Sequence, residues 1–169
     1  MRNAANFLFF QAFWFAAVAG AARGWLWAGP AACFLFLLMH LRMVPAQRMR
    51  ELAYVLTVGA LGTTVDTGMK ALGAIAYPAA ETWTSPLVPP YIASLWVAFA
   101  MLPRFSLGWL SGKPLLGALL GGVGGPLSFY AGTRFGVVGL GEVPALSWAL
   151  LALEYALATP LMLHFAHRE

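Results

Sequence analysis

Six apolar stretches follow one another along this chain with only short polar links between them, and that pattern restricts the fold more than any other feature. A helix needs about 20 mostly apolar residues to cross the hydrocarbon core of a bilayer. The stretches cover about 4–22, 25–44, 52–75, 87–103, 114–133 and 144–166. Composition argues against a soluble fold. The chain is 61% hydrophobic and 9% charged, whereas soluble domains are about 25% charged. So few charges could not cover so much apolar surface in water. Lipid removes the difficulty, because it is itself the solvent for an apolar exterior. The expected fold is an all-α integral membrane protein, a six-helix transmembrane bundle with residues 1–169 forming a single transmembrane domain.

The links support this division. Arg23-Gly24 is a tight connection, and Pro45 to Arg50 is polar. Tyr77 to Pro90 holds four prolines, Glu81 and Trp83, so it reads as a loop without a helix of its own. Phe105 to Leu110 is apolar but too short to span, which suits an interfacial segment anchored by Trp109. Ala19-Gly20-Ala21 resembles the cleavage site of a signal peptide. Asn6 and Gln11 interrupt the apolar run before it, which favours an uncleaved first span.

Six spans place seven of the ten basic residues on one side: Arg2, Arg42, Arg48, Arg50, Arg104, Lys113 and Arg168. Arg23 and Arg134 fall on the other side, and Lys70 lies inside the third span. Basic residues concentrate in cytoplasmic loops, so both termini are expected in the cytoplasm. Trp25, Trp27 and Trp83 then fall at the outer interface and Trp109 at the inner one. The net charge of +4 is spread over span ends and not gathered into a patch, so no nucleic-acid partner is expected. Cys33 is the single cysteine, which excludes a disulfide framework.

Ionisable residues at membrane depth mark candidate functional sites, because they are costly there and normally face protein or a water-filled cavity. Asp66 and Lys70 stand four apart on one helix face and could neutralise each other, with Thr63, Thr64 and Thr67 supplying hydroxyls. Glu154 has no neighbour at helical spacing that could pair with it, so its partner must come from another helix. Ser128, Tyr130 and Arg134 follow Gly124-Gly125-Pro126, a run that could open the fifth helix. Arg134 could pair with Asp66 or hold an anionic head group. Gln11 lies deep in the first span and is expected to hydrogen-bond across helices, while Asn6 is expected at the inner interface. Asp66, Lys70, Ser128, Tyr130, Arg134, Glu154 and Gln11 thus form the candidate cavity lining.

Gly117, Gly121 and Gly125 recur every four residues and give the fifth span a bare face for close helix packing. Were that face free, it would be a partner surface. His40, His164 and His167 all fall at cytoplasmic ends, and Glu51 or Glu169 could join them. No zinc-binding pattern links them, so no metal is expected. No phosphate-binding loop, nucleophile elbow or paired-cysteine motif occurs, and no cofactor is implied. Each half of the chain has three spans, a lone acid in its third span (Asp66, Glu154) and a Gly-Pro step in its middle span (Gly29-Pro30, Gly125-Pro126). This is a faint hint of inverted 3+3 halves.

Four motifs resemble a family of small bacterial inner-membrane proteins known only as a domain of unknown function. They are Asn6 with Phe10-Gln11 and Trp14; Leu95-Trp96-Val97-Ala98-Phe99-Ala100; Ser106-Leu107-Gly108-Trp109-Leu110; and Gly125-Pro126-Leu127-Ser128-Phe129-Tyr130-Ala131-Gly132. The likeness covers nearly the whole chain. Where the family pattern has a polar or histidine residue before Ser106, this chain has Phe105. The resemblance implies an inner-membrane location and an association with lipid-modifying enzymes.

The favoured expectation is a lipid-handling or small-molecule-carrying protein, with membrane lipid as its partner and an outward-open polar cavity. Asp66 and Glu154 would switch charge there, while Lys70 and Arg134 hold an anionic group. The rival expectations are a membrane-embedded enzyme acting on a lipid, for which the residues supply no sharp set, and a non-catalytic subunit or scaffold.

Overall fold

The computed structural model describes residues 1–167, so Arg168 and Glu169, which entered the charge count and the histidine cluster, lie outside the described residues. Within them the chain folds into six α-helices: α1 (Arg2–Ala21), α2 (Ala28–Met43), α3 (Arg48–Ala71), α4 (Pro90–Ala100), α5 (Pro114–Arg134) and α6 (Pro144–Ala166). Proline opens α4, α5 and α6, where its fixed φ suits the first turn and its missing N–H leaves no bond unmade.

By length and composition, α1, α5 and α6 can each cross a membrane. A fourth crossing results if α2 and α3 are joined, although the chain bends through 103° at the break between them. The fourth expected span is therefore much shorter than its apolar sequence. Eleven residues of α4 rise only about 16 Å. From Met101 the chain continues as turns and a short 3-10 helix, Gly108–Leu110, and not as α-helix. Pro103 ends the run, since the residue before a proline is pushed out of the helical region.

A two-residue antiparallel bridge was not visible in the pattern. β1 (Ile75–Ala76) pairs with β2 (Gly139–Leu140), Ile75 opposite Leu140. Both strands are launched by the same device. Gly73 (φ 70°) and Gly136 (φ 72°) end α3 and α5 in the left-handed region. Beyond each, an amide reaches back five residues, Ala74 N to Met69 O and Val137 N to Gly132 O, as helix-closing glycine motifs do.

The bridge brings the C-terminal ends of α3 and α5 together, and Ser147 on α6 donates to Ala74 O at 2.6 Å at the same place. At the opposite end, Asn6 on α1 accepts from Ser106 Oγ at 2.7 Å and donates to Met101 O at 3.2 Å. His167 Nε2 lies 3.0 Å from Pro103 O there. Asn6 is fully buried, and its side chain clamps the turn after α4.

Helix α4 is the hub. It packs on α1, α2 and α3, and none of its large side chains is exposed. The other five helices expose leucine, phenylalanine and valine outward, among them Phe15, Leu35, Leu61, Leu119 and Leu157. An apolar exterior around a polar-studded interior is the arrangement expected where lipid is the solvent.

The tightest helix pair is α5 with α6. A Cβ on Gly121 would run into the backbone carbonyl of Tyr155, and one on Gly125 into the Tyr155 ring. Gly117 approaches Leu163. The glycine face is thus covered by α6 of the same chain and is not a free partner surface. Pro126 lies inside an unbroken α5, so Gly-Gly-Pro does not open the helix. Pro30 sits in the first turn of α2, so the two Gly-Pro steps are not structurally equivalent.

Candidate functional site

Two features at the centre of the molecule are candidates: a buried acid cluster and an apolar cleft, separated by Trp96 and Tyr155.

The acid cluster draws on α3, α6 and the link after β1. Asp66 is 1% exposed, and its Oδ2 accepts from Trp96 Nε1 at 2.7 Å. The approach is close because Gly62, one turn before Asp66, has no side chain where the Trp96 ring lies. Trp96 stacks on Tyr155, centroids 5.0 Å apart and planes 20° from parallel. Glu154 precedes Tyr155 and lies within electrostatic reach of Asp66. Tyr77, on the link after β1, is itself buried. Asp66 Oδ1, both Glu154 carboxyl oxygens and the Tyr77 hydroxyl are buried with no hydrogen-bond partner among the described residues. Glu154 does find its neighbour on another helix, but that neighbour is a second acid and not a cation.

Lys70 is turned away from Asp66. Its ammonium donates to Ser85 O at 2.9 Å and to Leu87 O at 2.8 Å, pinning the proline-rich loop. Helical spacing allowed the pair, but Lys70 is one turn nearer the end of α3, and its stem extends past Asp66 to the loop carbonyls. The threonine hydroxyls do not serve the acid either. Thr63, Thr64 and Thr67 each donate to the carbonyl four residues back. Arg134 is exposed at the end of α5 and forms no ion pair among the described residues. Tyr130 is exposed beside Trp148. Gln11 is half-buried on α1 and makes no side-chain hydrogen bond among the described residues.

The cleft has a volume of about 260 Å³ and lies between α1, α4, α5 and α6. Phe10, Trp14 and Val18 form one wall, Leu120 to Gly132 of α5 another, and Tyr155 the floor. The stretch from Leu120 to Gly132 rises about 18 Å along the α5 axis, so the cleft is long and narrow. α1 and α5 barely touch directly. They are joined across the cleft by Trp14 Nε1, which donates to Ser128 Oγ at 3.0 Å. Leu120 and Gly124 are both exposed at this seam, so it opens sideways. Of the seven cavity residues expected from sequence, Ser128 alone lines it, and the lining is overwhelmingly apolar.

A third polar cluster went unread as a unit. Glu51 accepts from Arg104 Nη2 at 2.8 Å and lies 2.8 Å from His40 Nε2, tying α2, α3 and the turn after α4 together. Glu51 was available as a ligand only on paper. His164 and His167 are elsewhere, and no three metal-binding side chains converge among the described residues.

No curated protein and no solved structure matches the chain. A family profile does match, over residues 3–161, and agrees with the motif resemblance in covering nearly the full length. The chain belongs to the DUF2878 family, described as a protein of unknown function.

Proposed function

We propose that this chain is a six-pass inner-membrane protein with both termini in the cytoplasm, and that it handles lipid by holding one hydrocarbon chain in the cleft between α1 and α5. The single observation behind the lipid reading is the cleft: long, narrow, apolar, and open sideways at a seam of otherwise lipid-facing helices. Apolar cavities stay dry and take apolar guests. In a bilayer the guest at hand is an acyl chain. The Trp14–Ser128 bond offers a polar grip beside it.

Six passes are supported by the alternation of helix ends. The Asn6–Ser106 and His167–Pro103 contacts gather one set, and the β1–β2 bridge gathers the other. The short α4 is compatible with a crossing because Met101, Leu102, Phe105 and Leu110 bury the irregular chain that follows it. Non-helical backbone is tolerated at membrane depth where protein surrounds it. Arg2, Arg42, Arg48, Arg50, Arg104 and Lys113 fall at the Asn6 end, which supports a cytoplasmic assignment for that end.

The test is native mass spectrometry of the protein released from bilayer nanodiscs. Wild type carries one lipid, and Gly124→Leu, which meets no atom within 4 Å when a Cβ is added, carries none. Equal lipid occupancy in both would overturn the reading.

A further inference from the structure

The apolar cleft adjoins a second cavity of opposite character. That cavity, of about 320 Å³, lies where the turn before α5 meets the C-terminal part of α6, and Ser111, Lys113, His164 and His167 line it. Leu110 borders both cavities. The two also follow one stripe of α6. Tyr155 and Thr159 line the cleft, Leu163 and His167 the second cavity, each four residues from the last. The glycines of α5 keep the same step. Gly121 faces Thr159, and Gly117, one turn earlier, faces Leu163 and Pro160. The polar cavity therefore sits at the His167–Pro103 end of the molecule, the end assigned to the cytoplasm.

Its charge is of one sign. No acidic side chain lines either cavity among the described residues. Lys113 has three N–H donors and spends one on Trp109 O at 3.1 Å. His164 is exposed, makes no side-chain hydrogen bond among the described residues, and keeps a ring N–H in either protonation state. Ser111 adds an exposed hydroxyl.

Thr159 supplies an independent indication. It is 3% exposed, and its hydroxyl oxygen has no hydrogen-bond partner among the described residues. Such orphans are uncommon, because a buried hydroxyl left unpaired is costly. It lies on the cleft wall at Gly121, one helical turn from the basic cavity. A guest that brings an acceptor to this depth satisfies it.

We infer that the guest of the cleft is an anionic phospholipid, with its phosphate head group at Lys113 and His164, an ester carbonyl at Thr159 and its acyl chain running along α5 toward Gly132. The inference rests on the lipid reading and adds the class and the orientation of the lipid. Basic groups, a lone hydroxyl and an apolar channel follow one another in the order in which a glycerophospholipid presents phosphate, ester and hydrocarbon. Basic pockets between transmembrane helices on the cytoplasmic side suit anionic head groups.

The experiment is native mass spectrometry of the full-length protein released from nanodiscs of equimolar phosphatidylglycerol and phosphatidylcholine with matched acyl chains. Wild type should carry phosphatidylglycerol over phosphatidylcholine by about fivefold or more, the scale of one basic side chain meeting an anionic head group. The Lys113→Gln, His164→Gln double variant should bring the ratio near one. Wild type should also prefer diacyl over dialkyl phosphatidylglycerol by about two- to tenfold, the scale of one hydrogen bond, and Thr159→Val should not. A wild-type ratio near one, or a preference that survives in the double variant, overturns the inference while leaving a lipid-filled cleft in place. Equal carriage of diacyl and dialkyl lipid by wild type overturns the placement of the ester at Thr159. Loss of the head-group preference in excess inorganic phosphate, but not in chloride of equal ionic strength, assigns the cavity to free phosphate and overturns the inference as well. Wild type released with no lipid at all sinks this inference and the lipid reading together.

Discussion

Trp96 Nε1 donates to Asp66 Oδ2 at 2.7 Å, and this bond fastens the central helix α4 to α3 at a fully buried acid. Trp96→Phe removes the donor while keeping an aromatic ring against Gly62. The expected destabilisation is about 1–3 kcal/mol, the range for stranding a buried acceptor. Thermal unfolding in detergent checks it. A double-mutant cycle with Asp66→Asn should show coupling between the two sites, and strictly additive effects would mean that the bond contributes nothing.

The Glu51 cluster should be the most sensitive polar point outside that core. Glu51→Gln leaves His40 and Arg104 without their shared carboxylate. Removing one partner of a buried ion pair typically costs about 3–5 kcal/mol. The variant is expected to melt well below wild type, and an unchanged melting temperature would contradict a structural role.

Neighbouring glycines on α5 should respond in opposite ways. Gly121→Leu forces atoms into the Tyr155 carbonyl and Thr159 side chain, so the α5–α6 pair must separate. Overpacking of this kind costs at least about 1–3 kcal/mol. Gly124→Leu points into open space and should leave the melting temperature near that of wild type while displacing lipid. Equal destabilisation by both would contradict the packing described.

Glu154→Gln should insert and fold, yet fail in the cell. Wild type is expected to restore the membrane lipid profile of a deletion strain, and the variant is expected not to. Full restoration by Glu154→Gln with unchanged stability would remove Glu154 from any functional role.

Much of the helical layout was legible in the sequence because apolar run length and proline position are local signals. α1, α5 and α6 begin and end within a few residues of the stretches that announced them. α4 was overestimated, since apolar composition does not distinguish helix from buried turns, and Pro103 weighed more than hydropathy. The site was legible only by residue type. Asp66 and Glu154 stood out as acids at depth, but Trp96 is 30 residues from Asp66, and no periodicity links partners on different helices. The i,i+4 rule even pointed the wrong way, to Lys70. Tyr77 was read as the first residue of a loop, and nothing in its neighbours indicated that it is buried. An isolated Asn6 gave no sign of its bond to Ser106, although both residues lie in the motifs behind the family resemblance.

The most direct measurement is side-specific labelling of single cysteines in a Cys33→Ala background, using a membrane-impermeant maleimide on intact cells. Cysteine at the exposed Glu142 should be labelled from outside, while cysteines at Arg48 and Lys113, also exposed, should react only after the membrane is opened. Labelling of Arg48→Cys or Lys113→Cys in intact cells, or recovery of the protein as a soluble monomer without detergent, would contradict a six-pass protein with its termini in the cytoplasm.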